Sequence, residues 1–149
     1  SKVLDIGCKK GFFLKDLKDL VPGIKIYGIE NHSYPVKNAH SDVKGKLKIK
    51  EYYDLNFKKK YFDLVFAFNS IYSQNLGDII KTLKAIQKVS KKSYVVLAAC
   101  DNEKEREKFY EWTLIGTTIL KKSEWLILFK TIGYKGDYYF STAKTLGLK

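Results

Sequence analysis

The stretch VLDIGCKKGFF, residues 3–13, decides the fold because it leads an apolar strand through a glycine-containing turn into a helix. Glycine lets the backbone approach a ligand closely, and the first turn of a helix presents N–H groups without helical partners. This arrangement forms a ligand site at the carboxyl end of a parallel strand. Dinucleotide sites of this kind have three glycines, whereas this turn has only Gly7 and Gly11. Asp5 would repel a pyrophosphate and attract an ammonium group, so the stretch favours a cationic ligand.

On the carboxyl side of this stretch, short apolar strands alternate with helices along the rest of the chain. Such an order predicts a parallel sheet covered by helices on both faces. The fold class we expect is therefore α/β, a doubly wound, mostly parallel sheet in a three-layer αβα sandwich. The expected strands are 2–6, 24–29, 46–50, 62–68, 94–100, 114–120 and 138–142. The 46–50 strand alternates lysine with Leu47 and Ile49, which is typical of a protected sheet edge.

The helices are predicted from apolar residues at helical spacing. The first helix should direct an apolar face inward and end at Pro22-Gly23; that face consists of Phe13, Leu17, Leu20 and Val21. A second helix is expected over 76–89, and a third over about 104–112. Ser123 should cap a last helix that Gly133 closes. The polar stretch 32–44 has room for one short helix, and His32 within it is expected to be an exposed loop residue.

The length of 149 residues fits a single domain over 1–149, and the lack of any methionine predicts that the natural start is missing. Hydrophobic residues at 45% and charged residues at 30% exclude a disordered or fibrous chain. No apolar run approaches the ~20 residues that a membrane-spanning helix needs.

Cys8 and Cys100 form neither a metal pattern nor a disulfide framework, so we expect no metal site and a cytoplasmic location.

The net charge of +12 makes acidic partners a hypothesis to test. Arg106 is the only arginine, and the lysines are spread along the whole chain. Specific readout of phosphates and bases depends on the planar arginine fork, which lysine cannot reproduce. A nucleic-acid partner is therefore disfavoured, and the basic balance keeps acidic substrates in view. The sequence does not indicate an oligomeric state.

The turn resembles the first motif of the class I S-adenosylmethionine-dependent methyltransferases, and the likeness extends over essentially the whole chain. That motif is acid-x-Gly-x-Gly-x-Gly after an apolar strand, which corresponds here to DIGCKKG, residues 5–11. The final helix, from Ser123 to Gly133, leads into an aromatic strand, and this pair of elements is similar to the small-molecule, type 11-like branch of the family. The resemblance implies a Rossmann-like fold and S-adenosyl-L-methionine as cofactor.

The resemblance also implies which residues bind the cofactor. Glu30 ends the second strand, where the family has an acid that binds both ribose hydroxyls. The segment 51–57 is similar to the one that borders the adenine, and 68–70 follows the fourth strand into the active-site mouth. The cofactor-binding residues implied are Asp5, Gly7, Cys8, Gly11, Glu30, Glu51, Tyr52, Phe68 and Asn69.

Lys9 departs from the family pattern because it replaces the middle glycine. A side chain directed to solvent would cost little, whereas one directed inward would place a positive charge near the sulfonium. A catalytically silent methyltransferase-like binding domain is therefore the alternative to an enzyme.

Methyl transfer from a sulfonium is an in-line displacement in which a protein can act mainly by positioning the reactants. Tyr72 is the candidate for an acceptor-side residue, and the segment 101–120 should overhang the mouth. The stretch after the fourth strand lacks the proline-rich motif of base-amino methyltransferases, and the chain lacks the Pro-Cys nucleophile of the cytosine-carbon type. The expected acceptor is a small molecule, a saccharide or a lipid, and an RNA methyltransferase is the least favoured alternative.

Overall fold

A computed structural model describes residues 1–114 and 116–148 of the chain. The strands in this part are β1 Lys2–Ile6, β2 Lys25–Glu30, β3 Leu47–Ile49, β4 Phe62–Phe68, β5 Ser90–Cys100, β6 Leu120–Lys121 and β7 Asp137–Ser141. The α-helices are α1 Phe12–Leu20, α2 Ser33–Lys37, α3 Leu76–Val89, α4 Glu103–Trp112 and α5 Lys122–Ile132. Single 3₁₀ turns cover Lys44–Lys46 and Ile71–Ser73.

The strands form one sheet in the order β3-β2-β1-β4-β5-β6, and β7 also pairs with β5. Every pairing is parallel. Two strands pair with the edge of β5 that faces away from β4. Its residues Tyr94–Ala98 pair with β7, and Ala99–Cys100 pair with β6. The chain order reverses at β1, which has β2 on one side and β4 on the other. In open α/β sheets this reversal opens a crevice at the carboxyl ends of the strands.

Apolar clusters on both faces of the sheet account for the three layers. One cluster packs α3 and α5 against the central strands through Leu83, Ile86, Trp125 and Phe129, all of them buried. The other packs Leu14 of α1 and Val36 of α2 against Val3 and Phe66. The Rossmann-like α/β sandwich expected from the sequence is confirmed. No helix in the described part is both long and apolar enough to cross a membrane.

The inward face expected for α1 is wrong at three of its four positions. Leu14 is the fully buried residue of this helix, whereas Phe13, Leu20 and Val21 are 47%, 80% and 40% exposed. The reason is that α1 is only nine residues long, and its contact with the sheet is made by Leu14 and, one turn on, by the partly buried Leu17. Phe13 instead lies beside the end of β4, where its ring centroid is 5.0 Å from that of Phe66.

The strand expected over 114–120 is also wrong in the residues that the structure describes, Ile115 being outside them. Only Leu120–Lys121 are extended in the sheet. The backbone N–H groups of Thr117 and Thr118 donate to the carbonyl of Tyr72, each at 2.9 Å, so they are not available to a neighbouring strand. A composition rich in Thr and Ile favours strands, but these hydrogen bonds come from a turn distant in sequence.

Two element ends differ from the sequence-based expectation. Strand β5 begins at Ser90, four residues early, because its first residues pair with β4 from Phe62 onward. The cap of α5 is Lys121 instead of Ser123, since the Glu124 side chain accepts the Lys121 N–H at 2.9 Å. Gly133 ends this helix in a left-handed conformation, as expected.

Candidate functional site

A cavity of about 400 Å³ opens where β1, β2 and β4 end, and we call it the strand-end cleft. Four of the sequence-predicted site residues line it: Gly7, Glu30, Tyr52 and Asn69. Eight more residues line it that the sequence did not single out as ligands: Lys9, Lys10, Phe12, His32, Tyr34, Pro35, Ser70 and Ser73. The cleft therefore lies at the position that the reversal of strand order predicts.

The turn after β1 is held against β2 by its own backbone. The N–H groups of Gly7 and Cys8 both donate to the carbonyl of Ile29, at 2.8 and 3.1 Å. Gly7 has a φ of 80°, and a Cβ placed there would collide with the Cβ of Ser70. Glycine is required at this position because Ser70, in the segment that follows β4, lies so close to the turn.

Gly11 has a different role from Gly7. It caps α1 with a φ of 80°, and a Cβ there would lie 2.8 Å from Val43 Cγ2 and 3.1 Å from Leu47 Cδ1. These neighbours belong to the packed face beneath the helix, and Gly11 does not line the strand-end cleft. Its absent side chain lets α1 approach the segment before β3.

Lys9 occupies the middle position of the turn with a φ of 51°, the left-handed region that glycine adopts most easily. The backbone thus keeps the same left-handed conformation at residues 7, 9 and 11 although the middle residue is a lysine. The Lys9 side chain is exposed and forms no ion pair with any described residue. It borders the cleft without filling it.

One buried carboxylate, Glu30, lines the cleft, and a second, Asp5, is buried two residues before Gly7 without lining the cleft. Asp5 is 6% exposed and Glu30 is 3% exposed. Burial and then the nearby charge of Glu30 raise the pKa of Asp5 to about 7, and the positive charge of Lys9 opposes this rise. Neither carboxylate has an ion-pair partner in the part of the chain that the structure describes. Because the charge of Glu30 raises the pKa of Asp5, a ligand that brings positive charge would favour the ionised form of Asp5.

Hydrogen bonds fix the Glu30 side chain in the wall of the cleft. Its Oε2 accepts the Tyr52 hydroxyl and the His32 backbone N–H, both at 3.2 Å. The burial of Tyr52 and the proximity of Glu30 raise the pKa of the Tyr52 phenol, which therefore stays protonated and donates. The arrangement leaves Glu30 Oε1 without a described donor, so this oxygen can accept from a ligand.

Aromatic side chains form the outer wall of the cleft. Phe12 and Tyr34 are 59% and 66% exposed, and His32 is exposed as expected although it also lines the cleft. The Lys10 ammonium lies 5.5 Å from the centre of the Tyr34 ring, which orients that ring. Exposed aromatic residues beside a cleft provide flat surfaces for a planar ligand group. The sequence offered one signal for this wall, the position of His32 two residues after Glu30.

Three other predicted residues lie away from the cleft. The Cys8 thiol is buried in the α1 face of the core, and burial raises its pKa. Phe68 packs in a cluster with Phe66 and Tyr94, with ring centroids 5.2 and 5.8 Å away. Glu51 is exposed, and its carbonyl accepts the Asp54 N–H at 3.0 Å. A role for these three in binding a ligand stays a prediction.

Tyr72 borders a second cavity, of about 480 Å³, that also touches the strand-end cleft. This second cavity is lined by Lys9, Asn69, Tyr72, Trp112, Thr113, Leu114 and Leu146. Lys9 and Asn69 are shared by both cavities. Tyr72 is 4% exposed, and burial raises the pKa of its phenol. The expected contact between the cleft and the 101–120 segment thus runs through residues 112–114.

No group of three His, Cys, Asp or Glu side chains within residues 1–114 and 116–148 is arranged to hold a metal ion. The side-chain groups that line the two cavities are one carboxylate, an imidazole, amide and hydroxyl groups, aromatic rings, lysines and apolar side chains.

Residues 3–93 match the family model for the methyltransferase domain. This segment begins in β1 and ends in β5, so it contains all the strands whose ends form the strand-end cleft. A comparison with curated protein sequences gives no match.

Solved structures share the fold at low sequence identity. A chain from the complex between the Trm112 methyltransferase activator and a methyltransferase of Haloferax volcanii has a TM-score of 0.69 at 22% identity, covering 89% of this chain and 60% of that chain. A SAM-dependent methyltransferase from Archaeoglobus fulgidus has a TM-score of 0.67 at 18% identity, covering 90% of this chain and 61% of that one. PKMT2 from Rickettsia typhi, solved in complex with AdoHcy, has a TM-score of 0.57 at 20% identity. The match covers 64% of this chain and 20% of that chain. The chain spans about 60% of the length of the first two.

Proposed function

Because the chain belongs to the methyltransferase domain family, we propose that it binds S-adenosyl-L-methionine in the strand-end cleft and transfers the methyl group to an acceptor in the second cavity. The acceptor class we favour is a small molecule, a saccharide or a lipid. The structural relatives support the choice of cofactor, since one is described as SAM-dependent and another was solved with AdoHcy.

The observation that carries this proposal is the pair of buried carboxylates without a described ion-pair partner. Asp5 has a pKa of about 7 because burial and Glu30 disfavour its charged form. A ligand with a sulfonium and an ammonium group would supply the missing positive charge and favour the ionised carboxyl. A pyrophosphate ligand would add negative charge to the same region, and it would make ionisation of Asp5 beside Glu30 still less favourable.

The residues of the cleft fit the parts of S-adenosylmethionine. Asp5, which lies two residues before Gly7 and does not itself line the cleft, is the candidate partner of the ammonium group, and the free oxygen of Glu30 can accept from ribose hydroxyls. The flat surfaces of Phe12 and Tyr34 suit a planar base. Gly7 lets the backbone approach the ligand without a side chain in between. These assignments include Tyr52 as the residue that orients Glu30, through the 3.2 Å hydrogen bond.

The bound cofactor supplies a methyl group on a positively charged sulfur, and this sulfur becomes the neutral thioether that is the leaving group. The chain has to hold the acceptor in line with that bond, and orientation alone can lower a barrier by ~7–11 kcal/mol. Lys9 and Asn69 border both cavities, so they stand between the two reactants. The residues 112–114 cover the acceptor side, which supports a role for the 101–120 segment in acceptor choice.

The conformation of Lys9 bears on the alternative of a silent binding domain. Its φ of 51° keeps the turn in the shape that a glycine would give, and its side chain is exposed. A lysine here therefore does not close the cleft, which supports cofactor binding. A cytoplasmic location stays a prediction, in keeping with two buried cysteines that are free.

Isothermal titration with S-adenosylmethionine and S-adenosylhomocysteine tests the proposal. The expected result is saturable binding by the wild type and loss of binding by Asp5→Asn. Asp16→Asn is the matched control, because it removes one exposed carboxylate on α1 outside the cleft. Wild-type protein that is folded but gives no heat and no thermal shift would contradict the proposal and favour the silent domain.

A further inference from the structure

The second cavity carries one charged side chain, and that charge is positive. Its described lining residues are Lys9, Asn69, Tyr72, Trp112, Thr113, Leu114 and Leu146, which include no carboxylate. The Lys9 ammonium has no ion-pair partner among the described residues. A negatively charged group that enters this cavity therefore meets an unpaired cation where the cavity joins the strand-end cleft.

Two more hydrogen-bond donors face the same space. Asn69 Oδ1 accepts the Ser141 hydroxyl at 3.4 Å, which leaves the amide N–H groups of Asn69 free to donate. Thr113 Oγ1 accepts the Gly116 N–H at 3.0 Å, so the Thr113 hydroxyl also keeps its proton for another acceptor. An ammonium, an amide N–H and a hydroxyl are together complementary to a carboxylate, which only accepts.

The cavity contains no general base for a protonated acceptor. A hydroxyl or an ammonium acceptor has to lose a proton, and no Asp, Glu or His lines this cavity within the described residues. The Tyr72 phenol cannot serve, because burial raises its pKa and keeps it protonated. A carboxylate needs no base, since it is already ionised near neutral pH.

The remaining walls suit an apolar body. Trp112 is 50% exposed and Leu114 and Leu146 are 100% and 41% exposed, so their side chains are open to a ligand. The Trp112 ring is held at 5.5 Å from the buried Phe109, edge to face. A cavity of about 480 Å³ has room for an aromatic or short aliphatic acid.

We propose that the methyl acceptor is the carboxylate of an apolar or aromatic acid, and that the product is its methyl ester; this rests on the proposed function. A lone pair of the carboxylate oxygen forms the new bond to the methyl carbon. The carbon–sulfur bond breaks, its electron pair stays on sulfur, and S-adenosylhomocysteine leaves. No proton moves, and one positive and one negative charge disappear together.

Lys9 and Asn69 hold the carboxylate at the junction of the two cavities in this scheme. The ester that forms is neutral, so its attraction to Lys9 falls after the transfer and release becomes easier. The lysine that replaces the middle glycine of the turn thereby gains a function on the acceptor side.

The test uses the full chain with S-adenosylmethionine labelled in the methyl group and a matched set of acceptors. Indole-3-acetate, benzoate and hexanoate are the carboxylates, and indole-3-acetamide, benzyl alcohol and hexanol are the uncharged controls. The expected product is label that alkali releases as methanol, formed from the acids only. Label that resists alkali, or transfer to the alcohols at the same rate, overturns the proposal.

Variants of Lys9 separate acceptor binding from cofactor binding. Lys9→Met should raise the KM for the acid about tenfold or more, the usual cost of losing a charge-assisted hydrogen bond. Its Kd for S-adenosylmethionine should change less than about threefold, and Lys9→Arg should regain part of the lost KM. An unchanged KM in Lys9→Met overturns the role of Lys9. Cofactor binding without transfer to any acid overturns this inference alone, whereas absence of cofactor binding also overturns the proposed function.

Discussion

The two cavities that meet at Lys9 and Asn69 differ in their acidic groups and in their position in the fold. The strand-end cleft has Glu30 in its lining beside Lys9 and Lys10, with Asp5 buried nearby, and its lining residues lie at or after the ends of β1, β2, β3 and β4. The second cavity has a single lysine, and most of its wall comes from residues 112–114 and Leu146, outside the sheet. The sheet itself fixes the first site, whereas packed loops and turns form the second. One turn, residues 7–11, thus borders both a cavity with a buried acid in its lining and a cavity that has no carboxylate among its described lining residues.

The largest effect on the cleft is expected from Gly7→Ala. The new Cβ would collide with Ser70 and would also force alanine into a φ of 80°, so we expect a loss of about 3 kcal/mol in the free energy of unfolding. Urea unfolding measures it. Gly23→Ala is the matched control, because Gly23 has a φ of 78° with nothing within 4 Å of its Cβ. Equal losses in the two variants would show that the close approach of Ser70 does not matter.

Asp5→Asn tests the charge of the cleft in the protein without ligand. The pKa of Asp5 is raised from 3.8 in the unfolded chain to about 7 in the folded one, so the folded state loses stability as pH rises from 3.8 through 7. Asparagine removes that penalty. We expect the variant to exceed the wild type by about 2 kcal/mol in unfolding free energy at pH 8, with the difference vanishing by pH 4.

Urea unfolding of both proteins at the two pH values checks this expectation, with Asp16→Asn as the control for an exposed carboxylate. A variant that is less stable than the wild type at pH 8 would mean that the folded protein already satisfies the ionised Asp5.

Tyr52→Phe should have a smaller effect, because it removes one of the two described donors to Glu30 Oε2. We expect a loss of about 1 kcal/mol in unfolding free energy and a cofactor Kd weakened about fivefold. Tyr53→Phe is the neighbouring control, since the Tyr53 ring lies under Lys81 and outside the cleft. Equal behaviour of the two variants in titration would remove Tyr52 from the cofactor site.

The smallest effect is expected from Lys9→Gly, which restores the family's glycine. Relief of the left-handed strain and the added freedom of glycine nearly cancel, so stability should change by less than about 1 kcal/mol. The cofactor Kd should stay equal or fall slightly, because a positive charge is removed near the sulfonium. Thermal unfolding measures the stability, and titration measures the cofactor Kd. A clear loss of cofactor binding would mean that the Lys9 side chain holds the cofactor.

The sequence predicts best where burial alone determines structure. Helix α3 runs over Leu76–Val89 as expected, since its apolar spacing is long and regular. Strand β4 was placed because Phe62–Phe68 is a nearly continuous apolar run, typical of a central parallel strand. The prediction of a strand over 114–120 is wrong because the backbone N–H groups of Thr117 and Thr118 donate to the carbonyl of Tyr72, a contact that local composition does not encode.

The candidate site likewise has residues that the sequence could predict and residues that it could not. Gly7 and Glu30 could be predicted, because strand ends at a reversal of strand order are brought together by the sheet. Phe12 and Tyr34 could not, since an exposed aromatic residue in a turn or short helix has no periodic signal. Cys8 lies in the same turn as Gly7, yet its side chain enters the core, and only the turn's conformation decides between the two directions.

Titration calorimetry with S-adenosylmethionine at pH 6 and pH 8 is the most direct measurement of whether Asp5 and Glu30 receive a cationic donor. Since Asp5 has a pKa of about 7 in the free protein, we expect a Kd about tenfold tighter at pH 8 than at pH 6, with close to one proton released per ligand bound at pH 6. Equal affinity at both pH values, with no proton released, would contradict it.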